Sequence, residues 1–154
     1  MKLGNMSEKP LISKRKICNH TSVGVILKDS TGRILLIDRK IFPLFFASPA
    51  GHLKDGENPE IGAKREVEEE VGLVISNLKL ALNERFENPC CREDGNWHEW
   101  WVYEADYEGE LKPSERETKK VGWCSIAEIE KLSEEGKLEP VWQEIFQKLK
   151  ILWS

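Results

Sequence analysis

The stretch Gly51 to Leu73, GHLKDGENPEIGAKREVEEEVGL, decides how the chain is read. It is a glycine-rich loop that runs into a short acidic helix. Asn58 suits the N-cap, and Pro59 suits the first helical position, where its missing N–H costs nothing. Glu60 then falls in the first turn, at the positive end of the helix dipole. Gly72 is placed to end the helix, so the predicted helix runs from Pro59 to Val71. On it Glu66, Glu69 and Glu70 stand at i, i+3 and i+4 and share one face. Ala63, Val67 and Val71 form the neighbouring apolar stripe. Three carboxylates this close repel one another unless a cation sits among them. Hard divalent cations such as Mg²⁺ or Mn²⁺ take oxygen ligands of this kind. A solvated acidic face is the plain alternative for a Glu-rich helix.

The flanking residues favour the cation. The stretch resembles the Nudix box, a pattern of Gly, five residues, Glu, seven residues, Arg-Glu, an aliphatic residue, any residue, Glu-Glu, any residue, Gly and an aliphatic residue. Gly51, Glu57, Arg65, Glu66, Val67, Glu69, Glu70, Gly72 and Leu73 match it without departure. The resemblance implies an α/β fold, the Nudix-type α/β/α sandwich with a mixed central sheet. It also implies an enzyme that hydrolyses, with Mg²⁺ or Mn²⁺, a phosphoanhydride bond in a nucleoside diphosphate linked to another group. A nucleoside triphosphate, a modified dNTP and an ADP-ribose-type nucleotide all fit that description.

Residue by residue, the resemblance makes Glu66, Glu69 and Glu70 metal ligands, joined by the backbone carbonyl of Gly51. Glu57 either binds metal through water or orders the loop. Arg65 orients a helix carboxylate by a charge-assisted hydrogen bond. The general base is a box glutamate such as Glu69 in some members and a later carboxylate in others. Here the loop PSERETKK supplies Glu117, the expected base. Pro89, some sixteen residues past the box, hints at the ADP-ribose subgroup. An isopentenyl diphosphate isomerase is disfavoured, because that group departs from the box. A catalytically silent nucleotide-binding module of the same fold is the alternative function, and the intact acidic positions argue against it.

Composition bounds the rest. With 154 residues the chain is read as a mobile arm over 1–16 and a single domain over 17–154, large enough for a sizeable core. A formal charge of −4 argues against an electrostatic grip on nucleic acid or an anionic membrane, so the expected partner is a small nucleotide. No apolar run has the length of a membrane span, and the charged start has no signal-peptide core, which predicts a cytoplasmic protein. Both monomer and homodimer stay open. Cys18, Cys90, Cys91 and Cys124 have no CxxC spacing, so no zinc site is expected and the thiols are read as reduced.

Outward from the box, TSVGVILK (21–28) and RILLID (33–38) read as strands joined by the turn Asp29 to Gly32, a hairpin. Ile75 to Glu87 and Trp97 to Tyr107 read as two longer strands, and Lys119 to Cys124 as a short one. Ser125 caps a helix of about eight residues, and Pro140 to Trp153 reads as a last helix with Val141, Ile145, Leu149 and Leu152 inward. Alternation puts Trp97, Glu99, Trp101 and Tyr103 on one strand face, and His98, Trp100 and Val102 on the other. Trp97 and Trp101 either stack on a nucleobase or pack. His52, just after the box glycine, either meets a phosphate or serves as a loop histidine. His98 is read as a core residue.

Overall fold

The turn at Asp29 to Gly32 forms as expected, but the strands it joins part company. In the computed structural model, which describes residues 16–153, Asp29 Oδ1 accepts from the N–H groups of Thr31 and Arg33, both at 2.9 Å. Beyond one bridge between Lys28 and Ile34, β1 (Thr21–Ile26) and β2 (Ile34–Arg39) enter different sheets. The hairpin expectation is therefore corrected. Both strands are apolar on both faces, so each needs cover on both sides, and a two-stranded ribbon cannot give that.

β1 instead lies between β4 (Ala50–Gly51), antiparallel, and β6 (His98–Glu108), parallel. β5 (Val74–Phe86) closes that four-stranded mixed sheet antiparallel to β6. β2 is the centre of a three-stranded antiparallel sheet with β3 (Phe46–Ala47) and β7 (Thr118–Cys124).

Helices cover both sides. α1 (Pro59–Val71) packs Ala63, Val67 and Val71 on Val23, Val25, Leu35, Ile37 and Tyr103. α2 (Ile126–Glu134) and α3 (Pro140–Lys148) pack Ile129, Trp142, Ile145 and Phe146 against Ile26, Ile34, Leu36, Trp100 and Val102. Alternate residues of β1, β2 and β6 thus feed opposite cores, which is the expected α/β/α layering. At roughly 1.5–3 kcal/mol for each large apolar side chain removed from water, these two stripes hold the helices in place.

α1 begins and ends where its sequence predicts. Asn58 Oδ1 accepts from Glu60 N at 2.8 Å, and Gly72 takes a left-handed conformation at φ 77° while its N–H reaches Glu68 O. α2 carries a capping box, Ser125 with Glu128. α3 stops at Lys148, five residues short of the predicted end. Lys150 turns left-handed at φ 60°, and the N–H groups of Ile151 and Leu152 fold back to Phe146 O. That reversal still buries Leu152, while Leu149 is half-buried. The arm over 1–16, apart from Lys16, lies outside the described residues. Among the described residues no helix is long and apolar enough to cross a membrane.

Candidate active site

The register of β4 on β1, with Gly51 opposite Val23, sets the box loop at the edge of the mixed sheet and aims α1 across it. Glu70 is fully buried beneath that step, where its Oε1 accepts from Ala50 N at 2.8 Å. Arg39 of β2 is the nearest cation, with Nη1 3.8 Å from Glu70 Oε2. Glu66 lies directly against Gly51. A Cβ at residue 51 would sit 2.2 Å from the Glu66 carboxyl carbon, so only glycine lets carboxylate and backbone come this close.

Arg65 ties the box together. Its Nε and Nη2 donate to Glu57 Oε2 and Oε1 at 2.9 and 2.8 Å. Nη1 donates to Glu66 Oε1 at 2.8 Å and Glu69 Oε1 at 2.9 Å, and Nη2 also reaches His52 O at 3.1 Å. Glu57 in turn accepts from Lys54 N at 2.9 Å, which closes the loop on itself.

These contacts split the carboxylates electrostatically. The Arg65 hydrogen bonds hold Glu57 down at about 2. Burial dominates at Glu66 and, against the pull of Arg65, lifts its carboxyl from the usual 4.5 to about 7. Burial raises Glu70 well above the usual carboxylate range, with Glu66 adding to the rise. Glu139, buried near Arg39, is lifted to about 7 for the same first reason. Hydrogen bonds donated to Glu57, Glu66 and Glu69 keep Arg65 charged. The buried Glu70 carboxyl and the partly buried Glu66 carboxyl, beside a backbone turn that admits no side chain, are a set of hard oxygen donors. They suit Mg²⁺ or Mn²⁺.

Glu117 reaches the same cleft from the far side. The loop after β6 is pinned to the end of α1 by Lys112 N to Val71 O at 2.7 Å and Ser114 N to Glu70 O at 2.9 Å. Lys40 N donates to Glu117 O at 2.8 Å. The cleft therefore gathers Glu66, Glu70, Glu117, Arg39 and Glu139, with Ile41 and Phe42 on its rim and His52 in its wall.

Neither predicted aromatic lines this cleft. Trp97 stacks on His20 at 3.9 Å between ring centroids, and the Arg85 guanidinium covers it at 4.0 Å. Trp101 lies on the other side of the box loop, near Leu53 and Glu57. Arg39, Glu139 and Phe42 join the site unannounced, because they come from β2, the start of α3 and a loop with no motif of their own.

His52 and His98 meet two thiols. Cys18 Sγ lies 3.3 Å from His98 Nε2, 3.6 Å from His52 Nε2 and 3.9 Å from Cys90 Sγ. Burial lowers His52 to about 3 and His98 to about 4, and it raises the Cys90 thiol to about 11. His98 is buried as expected, but among potential ligands and not only among apolar side chains. The expectation of no zinc site meets here a group of four side chains that could hold a metal ion. It rested on local spacing, and these four residues converge from four separate segments.

A family model described as NUDIX domain matches residues 19–145. The 8-oxo-dGTP diphosphatase of Haemophilus influenzae is 37% identical over 67 residues, which are 42% of this chain and 49% of that protein. The NAD-capped RNA hydrolase of Chromobacterium violaceum is 31% identical over 99 residues, 62% of this chain and 34% of that one. The chain thus spans about half or less of the length of these curated relatives. A MutT NUDIX hydrolase from Burkholderia pseudomallei superimposes with a TM-score of 0.63 at 26% identity, covering 71% of this chain and 84% of its own.

Proposed function

We propose that this chain, which belongs to the Nudix family, hydrolyses a phosphoanhydride bond in a nucleoside diphosphate linked to a further group. The observation that carries the proposal is the convergence of Glu66, Glu70 and Glu117 on one cleft, with Arg65 organising the box carboxylates behind it. Glu66, Glu69 and Glu70 would hold Mg²⁺ or Mn²⁺ together with the Gly51 carbonyl. A divalent ion bound there supplies charge neutralisation on the phosphates and Lewis acidity toward the attacking water.

The protein's own groups do the rest. Arg65 locks Glu66 and Glu69 in their rotamers and keeps Glu57 ionised, so Glu57 orders the loop. Glu117 takes the proton of the attacking water, and Glu69, the more exposed helix carboxylate, is the alternative base. Arg39 balances the negative charge of Glu70 and faces the cleft where phosphate oxygens would lie. Ile41 and Phe42 offer an apolar rim for the base or sugar, whereas Trp97 and Trp101 stand outside the cleft and receive no such role. His52 is a part of the wall. The two relatives named above act, by their names, on 8-oxo-dGTP and on NAD-capped RNA, both of which contain a nucleoside diphosphate. The charge of −4 favours the small nucleotide over a nucleic acid. The reduced thiols of Cys18 and Cys90 fit a cytoplasmic setting.

Hydrolysis with Mg²⁺ should be measured by separating the products formed from dNTPs, modified dNTPs, ADP-ribose, NADH and dinucleoside polyphosphates. Pyrophosphate or phosphate leaves a triphosphate, and two phosphomonoesters or nucleotides arise from the others. Turnover of one class supports the proposal and names the leaving group. Silence across the panel with tight binding of one member would instead make the domain a nucleotide-binding module.

A further inference from the structure

We infer that Cys18, His52, Cys90 and His98 form a tetrahedral zinc site that staples the start of the domain to the box loop. The four ligand atoms all lie within 4.8 Å of one another. With bonds of about 2.3 Å to sulfur and about 2.0–2.1 Å to nitrogen, a tetrahedral zinc ion spaces two sulfurs about 3.8 Å apart, and a sulfur and a nitrogen about 3.6 Å apart. The corresponding separations are 3.9 Å for the sulfurs, and 3.6 and 3.3 Å from Cys18 Sγ to the two Nε2 atoms. The three edges that meet at Cys18 Sγ thus match the polyhedron to within a few tenths of an ångström, and the other three are no longer than 4.8 Å.

The surroundings orient three of the four ligands for the task. Trp100 Nε1 can only donate, and it lies 3.2 Å from Asn88 Oδ1, which fixes that atom as the amide oxygen. The same oxygen lies 3.0 Å from His98 Nδ1, so Nδ1 carries the proton and the Nε2 lone pair faces the sulfurs. A second partner holding a histidine in this tautomer is what metal sites use. Both sulfurs accept backbone N–H groups from two residues on, His20 N to Cys18 Sγ at 3.2 Å and Arg92 N to Cys90 Sγ at 3.3 Å. Gly95 closes over Cys90 so tightly that a Cβ there would lie 2.1 Å from the sulfur. Cys18 N to Glu93 O and Glu93 N to Lys16 O, both 2.8 Å, keep the two cysteine segments side by side.

A nucleophilic role for Cys18 fits poorly, because it is only 4% exposed. Four protein ligands and no open position define a structural site. On binding, the Cys18 and Cys90 thiols each lose a proton to solvent and both histidines stay neutral. Because Arg65 Nη2 donates to His52 O, the ion would hold the very loop that carries Gly51 and Glu57. The inference does not rest on the proposed hydrolysis.

The test is the metal content of untagged protein, purified under reducing conditions without chelator, together with the spectrum of the Co²⁺-substituted form. We expect about one zinc per chain. The Co²⁺ form should show the intense visible bands of a tetrahedral ion and thiolate-to-metal charge transfer in the near ultraviolet. Both signals should vanish in Cys18→Ser and Cys90→Ser and persist in Cys124→Ser and Glu69→Gln. A zinc-selective chelator should lower the Tm of the wild type by several degrees. Only trace zinc, an octahedral Co²⁺ spectrum without charge transfer, or a Cys18–Cys90 disulfide in the purified protein would each overturn the site. The wild-type spectrum decides even where a serine variant fails to fold.

Discussion

Arg65 grips Glu57 through two parallel hydrogen bonds, Nε to Oε2 at 2.9 Å and Nη2 to Oε1 at 2.8 Å, and spends its remaining nitrogen on Glu66 and Glu69. A single planar cation thus sets the rotamers of three carboxylates. A lysine keeps the charge but has one nitrogen, and it cannot make a fork to Glu57 and still span the helix.

Arg65→Lys should therefore lower kcat by about 10–100-fold, the usual cost of losing a partner that orients metal ligands. KM for the nucleotide should hardly move, since Arg65 points at protein groups. Steady-state kinetics at saturating Mg²⁺ separates the two parameters. An unchanged kcat would show that the carboxylates orient themselves without the guanidinium.

Glu66 should leave a signature in the pH dependence of stability. Its folded carboxyl holds a proton up to about 7, whereas the unfolded one releases it near 4.5. A raised acid costs stability as pH climbs through that window, because the unfolded chain then binds fewer protons. His52 and His98, with folded values below the usual 6.5, push the opposite way over part of the same range. The difference between wild type and Glu66→Gln removes that shared contribution. In metal-free protein, the wild type should lose ground to Glu66→Gln from about pH 4.5 to about pH 7 and then level off. Saturating Mg²⁺, which binds the deprotonated form, should abolish the loss. Urea titrations across the range check both statements, and a flat difference would place Glu66 in water.

Glu117 faces Glu66 and Glu70 across the cleft, and among the described residues its carboxylate makes no hydrogen bond or ion pair that holds the fold. Glu117→Gln should cut kcat by about 10²–10⁴, the range for a lost general base. Binding of Mn²⁺ to the helix carboxylates should stay as in wild type. Wild-type turnover in this variant would pass the role to Glu69.

Much of this arrangement is legible in the amino-acid sequence. Asn58, Pro59 and Gly72 each have one strong local preference, and all three agree, so the ends of α1 came out at the observed residues. The box then brought Gly51, Glu57, Arg65, Glu66, Glu69 and Glu70 together, because they all lie within one loop and one helix. What was not legible depends on the path of the chain in space. The turn at Asp29 is a good turn whether its strands pair or diverge, and only burial on both faces of β1 and β2 sends them to separate sheets. Alternation correctly set Trp101 and Tyr103 on one strand face and Trp100 and Val102 on the other, yet Trp97 falls just outside β6, where His20 and Arg85 cover it. The Cys18, His52, Cys90 and His98 cluster had no local sign at all. Spacing rules find metal ligands that share a turn, and these four are brought together by β1 lying beside both β4 and β6.

The central claim is that the acidic face of α1 holds a divalent ion that hydrolysis requires. Its most direct test is turnover as a function of Mg²⁺, measured beside Mn²⁺ binding, in wild type, Glu69→Gln and Glu70→Gln. The Gln at 70 keeps an acceptor for Ala50 N, so the fold should survive the change. The account predicts saturable, metal-dependent turnover in the wild type, and in both variants a loss of turnover together with weakened Mn²⁺ binding. Turnover independent of metal, or wild-type binding and rate in both variants, would contradict it.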